Sequence, residues 1–374
     1  MNLSPLKLVP LGMLKGIHFR IHRMLVRGEY PSFLLVNVTD ACNCRCYMCQ
    51  IWKKTEKNEM TLEEYDRVFQ DALFKRVRIL SLTGGEPFLR RDLTDIILSA
   101  AKHLPRLERI SLPTNGLLPS IIVDTTKNIL AGLPARIDFK IGISLDGPKE
   151  IHDRMRGVPG AFDKAVETLR QLQNLPHPNL EVGLLSLFTE ENAELLPTCH
   201  RLFTSLTDRI TWTLATESEF FQNVKKGSSS YSDKAEEKIL SFIDRTLIPG
   251  SPEKAYLYAK YKDHLLKKRR TYPCLAGYRS AYVDTRGNLL PCHYLNESFS
   301  LGNFRRAKES LEPAWFSKHA RLIRSRLASN VYCTNCSNNC DFRNLVQEDF
   351  WNFFWYLLTH PVIPIKVLFK RRKK

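Results

Sequence analysis

Apolar stretches with strand-like character alternate with amphipathic, helix-like segments through the first two thirds of the chain. Segments 161–173 and 197–203 have apolar residues at helical spacing. Regular alternation of strands and helices predicts parallel βα units. We therefore expect an α/β fold, a partial (β/α)6 TIM-like barrel. Its strands are predicted at 33–38, 77–82, 109–112, 137–143, 180–188 and 209–214.

The last third of the chain has a different pattern. Residues 225–230 read Lys-Lys-Gly-Ser-Ser-Ser, a linker composition without an apolar period. Helices are predicted at 234–247 and 255–268, and residues 280–290 have the character of a hairpin with Asp, Gly and Asn at its tip. We expect the chain to divide into four segments. They are a basic amphipathic N-terminal extension (1–32), the barrel (33–225), linker helices with a small cysteine-containing domain (226–345), and an aromatic and basic C-terminal tail (346–374).

Three cysteines, Cys42, Cys46 and Cys49, follow the first predicted strand with CxxxCxxC spacing. Three thiolates on one loop can bind three irons of a cubane cluster and leave the fourth iron open for a ligand, whereas a cluster that only carries electrons normally has four cysteines. A zinc loop is the alternative for this spacing alone. Cys44 is not needed for the spacing, and we expect it to be a bystander. The isolated Cys199 is expected in core packing.

Glycine-containing motifs follow three of the later strands. They are TGGEP at 83–87, TNG at 114–116 and SLDG at 144–147, and Arg156 comes after them in HDRMRG. Glycines at the carboxyl end of a strand let the backbone approach a ligand, and in a β/α barrel that end carries the chemistry. Together with the cysteines, these motifs and their order resemble those of the radical S-adenosylmethionine (SAM) superfamily.

The resemblance implies a chemistry and a set of SAM-binding residues. The open iron would bind the amino and carboxylate groups of SAM, and a flavodoxin- or ferredoxin-type protein would supply an electron. Cleavage would then give methionine and a 5′-deoxyadenosyl radical, which abstracts hydrogen from the substrate. The residues implied as SAM contacts are Gly84, Gly85 and Glu86 for the ammonium, Ser144 and Asp146 for the ribose, Arg156 for the carboxylate, and Asn115 in the TNG motif.

A second group of cysteines lies late in the chain. It comprises Cys274, Cys292, Cys333, Cys336 and Cys340, with a glycine five residues before the second of them. Its beginning resembles the auxiliary-cluster domain called SPASM, or the shorter one-cluster form called twitch. Four of the five cysteines suffice for one cluster, so the twitch form is favoured and two [4Fe-4S] clusters are expected in total. A zinc site is the alternative.

By the same resemblance, an auxiliary cluster accepts or relays an electron from the substrate, so that oxidation or coupling becomes the expected reaction. His293 directly follows Cys292, near the position where some relatives have a proton-accepting side chain. It is either a general base or a structural hydrogen-bonding group. The non-enzyme alternative is a cluster- or zinc-bearing interaction protein with vestigial SAM motifs.

The two ends of the chain suggest where it acts. Residues 10–27 have the pattern of a basic amphipathic helix, and residues 350–374 combine aromatic, leucine and basic residues with too many interruptions for a spanning helix. Both ends suit either an anionic membrane surface or packing against the barrel as caps. Clustered cysteines without a signal-like N-terminus predict a reducing, cytoplasmic compartment, peripheral at the membrane if the ends bind there.

The formal net charge of +17 indicates an anionic partner. Nucleic acid is not favoured, since no RNA-binding module is recognisable. A lipid-linked or anionic substrate is favoured. The alternative is a ribosomally made peptide, although the residues ahead of Phe33 are too few for a leader-binding domain.

Overall fold

The computed structural model describes residues 28–54, 58–218, 220–223, 231–249, 252–271, 274, 276–328, 336, 353, 355 and 356. Six parallel strands, hydrogen-bonded in chain order, form most of its sheet. This arrangement confirms the predicted α/β fold, and the sheet is open, as expected for a partial barrel. The strands are β1 Phe33–Thr39, β2 Ile79–Gly84, β3 Arg109–Thr114, β4 Asp138–Ser144, β5 Leu180–Phe188 and β6 Ile210–Leu214.

Helices follow the strands and cover the outer face of the sheet. α1 begins with a capping box, in which Thr61 Oγ1 accepts from the Glu64 backbone N–H and the Glu64 carboxylate accepts from the Thr61 N–H. The α-helices are α1 Leu62–Gln70, α2 Leu93–His103, α3 Pro119–Gly132, α4 Lys149–Arg156, α5 Ala161–Gln173, α6 Leu196–Leu206, α7 Asp233–Phe242, α8 Pro252–Lys267, α9 Glu312–Trp315 and α10 Lys318–Ala328.

Alternate residues of each strand point to opposite faces of the sheet. In β1, Leu34, Val36 and Val38 belong to the core under the helices, while Leu35 and Asn37 lie on the other face. The carboxyl ends of the parallel strands meet at one edge, which is where the site of a β/α barrel is built. The loops that carry the cysteine and glycine motifs therefore come together at this edge.

Three further strands extend the sheet beyond β1. They are β7 Ser280–Val283, β8 Asn288–Leu290 and β9 Gly302–Asn303. β7 pairs in parallel with β1, and β8 pairs antiparallel with β7, which confirms the hairpin. At its tip Asp284 accepts from the backbone N–H groups of Arg286 and Asn288. The described strands thus form one nine-stranded sheet that joins the barrel to the second cysteine group.

The predicted elements agree with the observed ones to within three residues at their ends. The helix predicted at 161–173 is confirmed as α5. The helix predicted at 234–247 is α7 followed by a π-helical turn, Ile243–Leu247. The linker at 225–230 and residues 1–27 lie outside the described residues.

Three residues of the C-terminal tail are described. The ring centroids of Phe353 and Tyr356 lie 5.2 and 5.4 Å from that of Tyr256 on α8, and Tyr356 is buried. Trp355 is 66% exposed. This part of the tail therefore packs on α8 with one face. Among the described residues, no helix is long and apolar enough to cross a membrane.

Candidate functional site

The cysteine loop follows β1 and packs against the TGGEP turn that follows β2. The N–H of Gly85 donates to Thr39 O at 2.8 Å, and the N–H of Glu86 donates to Ala41 O at 2.8 Å. A Cβ atom at Gly84 or Gly85 would lie 2.1 Å from Thr39 O or Ala41 O, respectively. Glycine is therefore required at both positions so that the two loops can approach.

The three predicted cluster ligands lie on this loop with different burial. Cys46 is 7% exposed, while Cys42 and Cys49 are half-buried. A hydrogen bond with Cys44, aided by the Arg156 charge, lowers the pKa of Cys46 to about 6 despite burial. Burial raises the pKa of Cys49 to about 11. Hydrogen bonds to Cys42 and Cys46 raise the pKa of Cys44 far above its usual range, which favours the protonated thiol there.

The donor set of this loop fits an iron–sulfur cluster. Among the described residues, no three His, Cys, Asp or Glu side chains converge on one position for a single metal ion. The thiolates of a cubane each bind a different iron and need not converge. Thiolates are the ligands that iron–sulfur clusters require, and three of them stand here at the strand edge.

Glu86 is buried at the carboxyl end of β2, with 1% of its surface exposed. Its carboxylate accepts from Thr114 Oγ1 at 2.8 Å and from the N–H of Asn115 at 2.7 Å. Burial raises the pKa of Glu86 to about 7, against the lowering effect of these hydrogen bonds. A buried carboxylate can recover lost solvation by pairing with a cation, so Glu86 fits an ammonium group.

Asn115 connects this carboxylate to the cysteine loop. Its Nδ2 donates to Asn43 Oδ1 at 2.6 Å, and its Oδ1 accepts from the Leu117 N–H. Asn43 lies between Cys42 and Cys44, and the spacing of cysteines gave no signal for its role. The contact fixes the β3 loop to the cluster loop.

Asp146 and Arg156 form a buried ion pair next to Cys46. Asp146 is fully buried, and its Oδ2 accepts from Arg156 Nε at 2.8 Å and from Nη2. Its Oδ1 accepts from the Leu187 N–H at 3.1 Å. Burial alone would lower the pKa of Arg156, but the charges of Asp146 and Cys46 outweigh it and raise the pKa. Arg156 Nη1 lies 3.9 Å from Cys46 Sγ, so the guanidinium faces the cluster loop.

Two neighbours complete the environment of Asp146; His152 is the first residue of HDRMRG, where only Arg156 was singled out, and Asn192 lies outside the motifs. His152 Nδ1 accepts from the Asp146 N–H at 3.2 Å, and burial lowers the pKa of His152 to about 4. Asn192 Nδ2 donates to Asp146 O at 2.8 Å. Ser144, at the end of β4, is half-buried at the same edge. The SAM-binding residues implied by the sequence are thus all at one end of the sheet.

The second cysteine group is described in part. Cys274 and Cys292 lie close enough that the charge of Cys292 raises the pKa of Cys274, in addition to the larger effect of burial. Cys292 Sγ accepts from the Tyr294 N–H at 3.5 Å. Cys336 is half-buried, and Cys333 and Cys340 lie outside the described residues. The structure therefore brings together the two cysteines on either side of the β7–β8 hairpin.

An aromatic cluster lies between the two cysteine groups. We define it as Phe220, Phe221, Tyr282 and His293. The His293 ring centroid is 5.4 Å from that of Phe220, 5.9 Å from that of Tyr282 and 6.4 Å from that of Phe221. Phe220 and Tyr282 pack in one apolar cluster with Cys42 and Cys49. The rings of Phe220 and Tyr282 therefore connect His293 to the first cysteine loop.

Comparisons with known proteins agree with this geometry. A model of the radical SAM superfamily matches residues 36–202, and a model of the SPASM iron–sulfur cluster-binding domain matches residues 274–341. The chain is 32% identical to Fe-coproporphyrin III synthase of Methanosarcina barkeri over 179 residues, 47% of this chain and 42% of that protein. The chain thus spans less than half the length of this relative.

Two further matches cover more of the chain. A GTP 3′,8-cyclase of Clostridium botulinum is 26% identical over 292 residues, 74% of this chain and 86% of that protein. The solved structure of anSMEcpe with bound AdoMet and Cp18Cys peptide has a TM-score of 0.58 at 18% identity, covering 90% of this chain and 99% of that chain. The chain carries a SPASM-type domain and belongs to the radical SAM superfamily, whose members are enzymes that use [4Fe-4S] clusters and SAM.

Proposed function

We propose that the protein cleaves SAM reductively and abstracts hydrogen from a substrate that binds against the aromatic cluster, with the second cysteine group holding an electron-accepting cluster. The observation that carries this proposal is the position of Phe220 and Tyr282, which belong to the apolar cluster that packs against Cys42 and Cys49 and whose rings also lie near His293. A molecule held there would be adjacent to both cysteine groups. Parallel pairing of β7 with β1 supports a fixed distance between them.

When bound, the open-iron cluster and SAM supply the 5′-deoxyadenosyl radical. Cys42, Cys46 and Cys49 would hold the cluster, and Glu86 would receive the methionine ammonium. The pairing of Arg156 with Asp146 uses the Nε and Nη2 donors and leaves Nη1 on the side of Cys46. We propose that Arg156 binds the SAM carboxylate in this orientation.

The burial of Asp146 changes the role that we propose for it. Both of its carboxylate oxygens accept hydrogen bonds from the chain itself, from Arg156 and from the Leu187 N–H. Asp146 therefore orients Arg156 rather than reaching the ribose. Ser144, half-buried at the end of β4, is the remaining candidate for the ribose contact.

His293 is the proposed proton acceptor for the oxidised substrate. Its ring lies among Phe220, Phe221 and Tyr282, which would exclude water from the reacting atoms. Lys54 Nζ lies 5.3 Å from the Phe220 ring centroid, on the same cluster. An apolar substrate portion next to a negatively charged group would fit these side chains, in agreement with the anionic or lipid-linked substrate expected from the net charge.

A peptide substrate is the second candidate. The solved structure of anSMEcpe contains a bound peptide, and its fold matches 90% of this chain. The two candidates differ in the assay that would reveal them. Binding of short peptides should not depend on anionic vesicles, whereas a lipid-linked substrate requires a membrane or detergent.

We also propose a surface for the one-electron reductant. Arg45 Cζ and Lys53 Nζ lie 4.9 and 5.3 Å from the ring centroid of Trp52, directly after the cysteine loop. Arg45 and Lys53 are exposed. This basic surface fits an acidic carrier such as a flavodoxin or ferredoxin. Lys53→Gln should slow turnover with flavodoxin, should weaken its salt dependence, and should leave turnover with dithionite unchanged.

The central test is anaerobic reconstitution followed by incubation with SAM and dithionite. The full chain should bind about eight irons, as two cubane clusters require, and should release 5′-deoxyadenosine. Replacing Cys42, Cys46 and Cys49 by alanine should abolish the release, since no open iron remains. Replacing Cys274 and Cys292 should leave uncoupled cleavage with about half the iron.

Cys199→Ala is the matched control for these replacements, because Cys199 is buried in the core and belongs to neither cysteine group. It should keep both clusters and full cleavage. Absence of 5′-deoxyadenosine from the reconstituted full chain would contradict the proposed function. Complete loss of cleavage in a folded Cys274 and Cys292 variant would contradict the division of labour between the groups.

A further inference from the structure

Arg324 on α10 is a fully buried arginine, with 1% of its surface exposed. Its Nε donates to Gly277 O, and its Nη2 donates to Trp315 O at 2.7 Å. The guanidinium carbon lies 4.9 Å from the ring centroid of Trp315. Among the described residues, Nη1 has no hydrogen-bond partner, and Arg324 forms no ion pair with a carboxylate. A buried positive charge without a counter-charge is costly, so this arrangement requires an explanation.

The Arg324 side chain contacts residues that flank the Cys274 and Cys292 pair. Gly277 is three residues after Cys274, and Pro291 directly precedes Cys292. A Cβ atom on Gly277 would lie 3.0 Å from Pro291 Cβ and 3.6 Å from Arg324 Cγ, so these three residues are in contact. Gly28 covers the other side, because a Cβ there would lie 2.4 Å from Arg324 Nη2.

A second buried arginine lies next to the pair. Arg270 is 4% exposed, and its Nη2 donates to the carbonyl oxygen of Leu327, one turn after Arg324 on α10. Its side chain also hydrogen-bonds Cys274. The Arg270 guanidinium therefore reaches Cys274 itself, while Arg324 on α10 contacts residues adjacent to the two cysteines.

A cubane cluster with four thiolate ligands has a negative charge, and accepting an electron makes it more negative. The reduction potential of such a cluster depends on nearby charge, on hydrogen bonds to its sulfurs and on its exposure to solvent. Positive charge in a medium of low dielectric constant acts strongly, because little water screens it. Buried guanidinium groups beside the cluster would therefore favour its reduced form.

We propose that Arg324, together with Arg270, is the buried counter-charge of the auxiliary cluster and raises its reduction potential, so that the cluster can accept the electron released when the substrate radical is oxidised. In that step the substrate radical loses one electron to the cluster and one proton to a base. The inference rests on the proposed cluster at Cys274 and Cys292. Arg324 acts through the cluster and is a positioning residue, not a catalytic one.

Two observations support a charged rather than a purely structural role. Burial lowers the pKa of Arg324 to about 10, so its guanidinium remains protonated at neutral pH. A structural clamp between the carbonyl groups of Gly277 and Trp315 would need two donors but no charge, and a neutral amide would serve it at lower desolvation cost. Because Nη1 has no hydrogen-bond partner within the part of the chain that the structure describes, one strong donor is available to an anionic group.

The test uses the full chain with Cys42, Cys46 and Cys49 replaced by alanine, so that only the auxiliary cluster contributes to the spectrum. Its potential is measured by redox titration followed by electron paramagnetic resonance. Arg324→Met and Arg324→Gln should lower the potential. At a fixed solution potential, the ratio of reduced to oxidised cluster should fall about tenfold, which is ~59 mV for one electron. Arg324→Lys should keep most of the parent potential, because it keeps the charge.

Arg321→Met is the matched control. Arg321 lies on the same helix one turn earlier and is exposed, so the variant removes an equal charge that water screens. It should leave the potential unchanged. An unchanged potential in Arg324→Met or Arg324→Gln with about four irons bound, as one cluster requires, would overturn the inference. So would an equal shift in Arg324→Lys and Arg324→Gln, since geometry and not charge would then be responsible.

Iron content separates failure of this inference from failure of the proposed function. If the parent background binds no iron, the auxiliary cluster is absent and both ideas fall. If the parent binds iron but Arg324→Met does not, the iron contents of Arg324→Gln and Arg324→Lys show whether charge or shape is required. Retention of iron by Arg324→Lys but not by Arg324→Gln supports the role of the charge. Loss of iron from both of these variants overturns the inference, because the site would then need the shape of arginine.

Discussion

Replacing Glu86 by glutamine should change how the stability of the protein depends on pH. In the folded chain, burial raises the pKa of Glu86 from 4.5 to about 7. A carboxyl group with a raised pKa holds its proton more tightly in the folded state. Its contribution to stability is therefore complete below pH 4.5 and is lost as the pH rises through about 7. At 1.36 kcal/mol per pKa unit, the full contribution is about 3 kcal/mol.

The free energy of unfolding should be measured by urea denaturation between about pH 5 and 8, where most of this contribution is lost. The full-length wild-type chain should lose roughly 2–3 kcal/mol of stability over this range relative to Glu86→Gln, which has no proton to release. Glu167→Gln on the exposed face of α5 makes the same substitution without burial. Its pH profile should match that of the wild type.

Parallel profiles for the wild type and Glu86→Gln would refute the reasoning, since they would mean that water reaches the carboxylate in the folded chain. A second measurement connects the result to SAM. An ammonium group stabilises the ionised carboxylate, so reconstituted wild-type enzyme should bind SAM more tightly as the pH rises through about 7. Glu86→Gln should bind SAM more weakly and should lack this component of the pH dependence.

Three further perturbations test other parts of the structure. Asp146→Asn leaves the buried Arg156 charge unpaired and should lower the free energy of unfolding, measured in urea, by ~3–5 kcal/mol. Glu108→Gln, which breaks the exposed bidentate pair with Arg78, should lower it by at most ~1 kcal/mol. Equal losses of stability in the two variants would contradict the burial argument. Gly84→Ala should destabilise the chain more than Gly160→Ala. Both glycines have positive φ, but of these two only Gly84 has backbone in the way of a Cβ atom, which would lie 2.1 Å from Thr39 O. Thermal unfolding and the iron content of both variants test this. Deleting residues 350–374 should reduce co-sedimentation with anionic vesicles and leave SAM cleavage intact, because each basic residue near such a surface contributes ~1 kcal/mol to binding. Equal sedimentation of the full-length and shortened chains would contradict a membrane role for the tail.

The sequence was sufficient for the barrel and for the residues at its carboxyl edge. Each strand has its own apolar pattern, and each motif directly follows its strand, so parallel pairing alone brings Cys42, Glu86 and Asp146 together. These are local signals combined by one topological rule. The roles within the site were harder to predict. The side chain that Asp146 binds depends on which way the α4 helix returns to the edge, and nothing in SLDG specifies it.

Other features had no local signal at all. Parallel pairing of β7 with β1 joins segments far apart in the chain, and short apolar stretches such as 280–283 do not indicate their partner. Arg324 lies in a helix rich in basic residues, where charge normally indicates a solvated face. Its burial follows from the packing of α10 against Gly28 and Gly277, which no spacing of residues within the helix could indicate.

The pairing of β7 with β1 also determines what can be removed from this protein. A strand at the border of a sheet exposes unpaired N–H and C=O groups, and such edges promote aggregation. In the full chain β1 is an interior strand, flanked by β2 and β7. A chain ending before residue 280 would expose β1 along the four residues that pair with β7, from Phe33 to Val36, directly before the cysteine loop. The barrel alone would therefore have an unpaired edge next to its first cysteine loop, and the strand that covers this edge lies more than two hundred positions further along the chain.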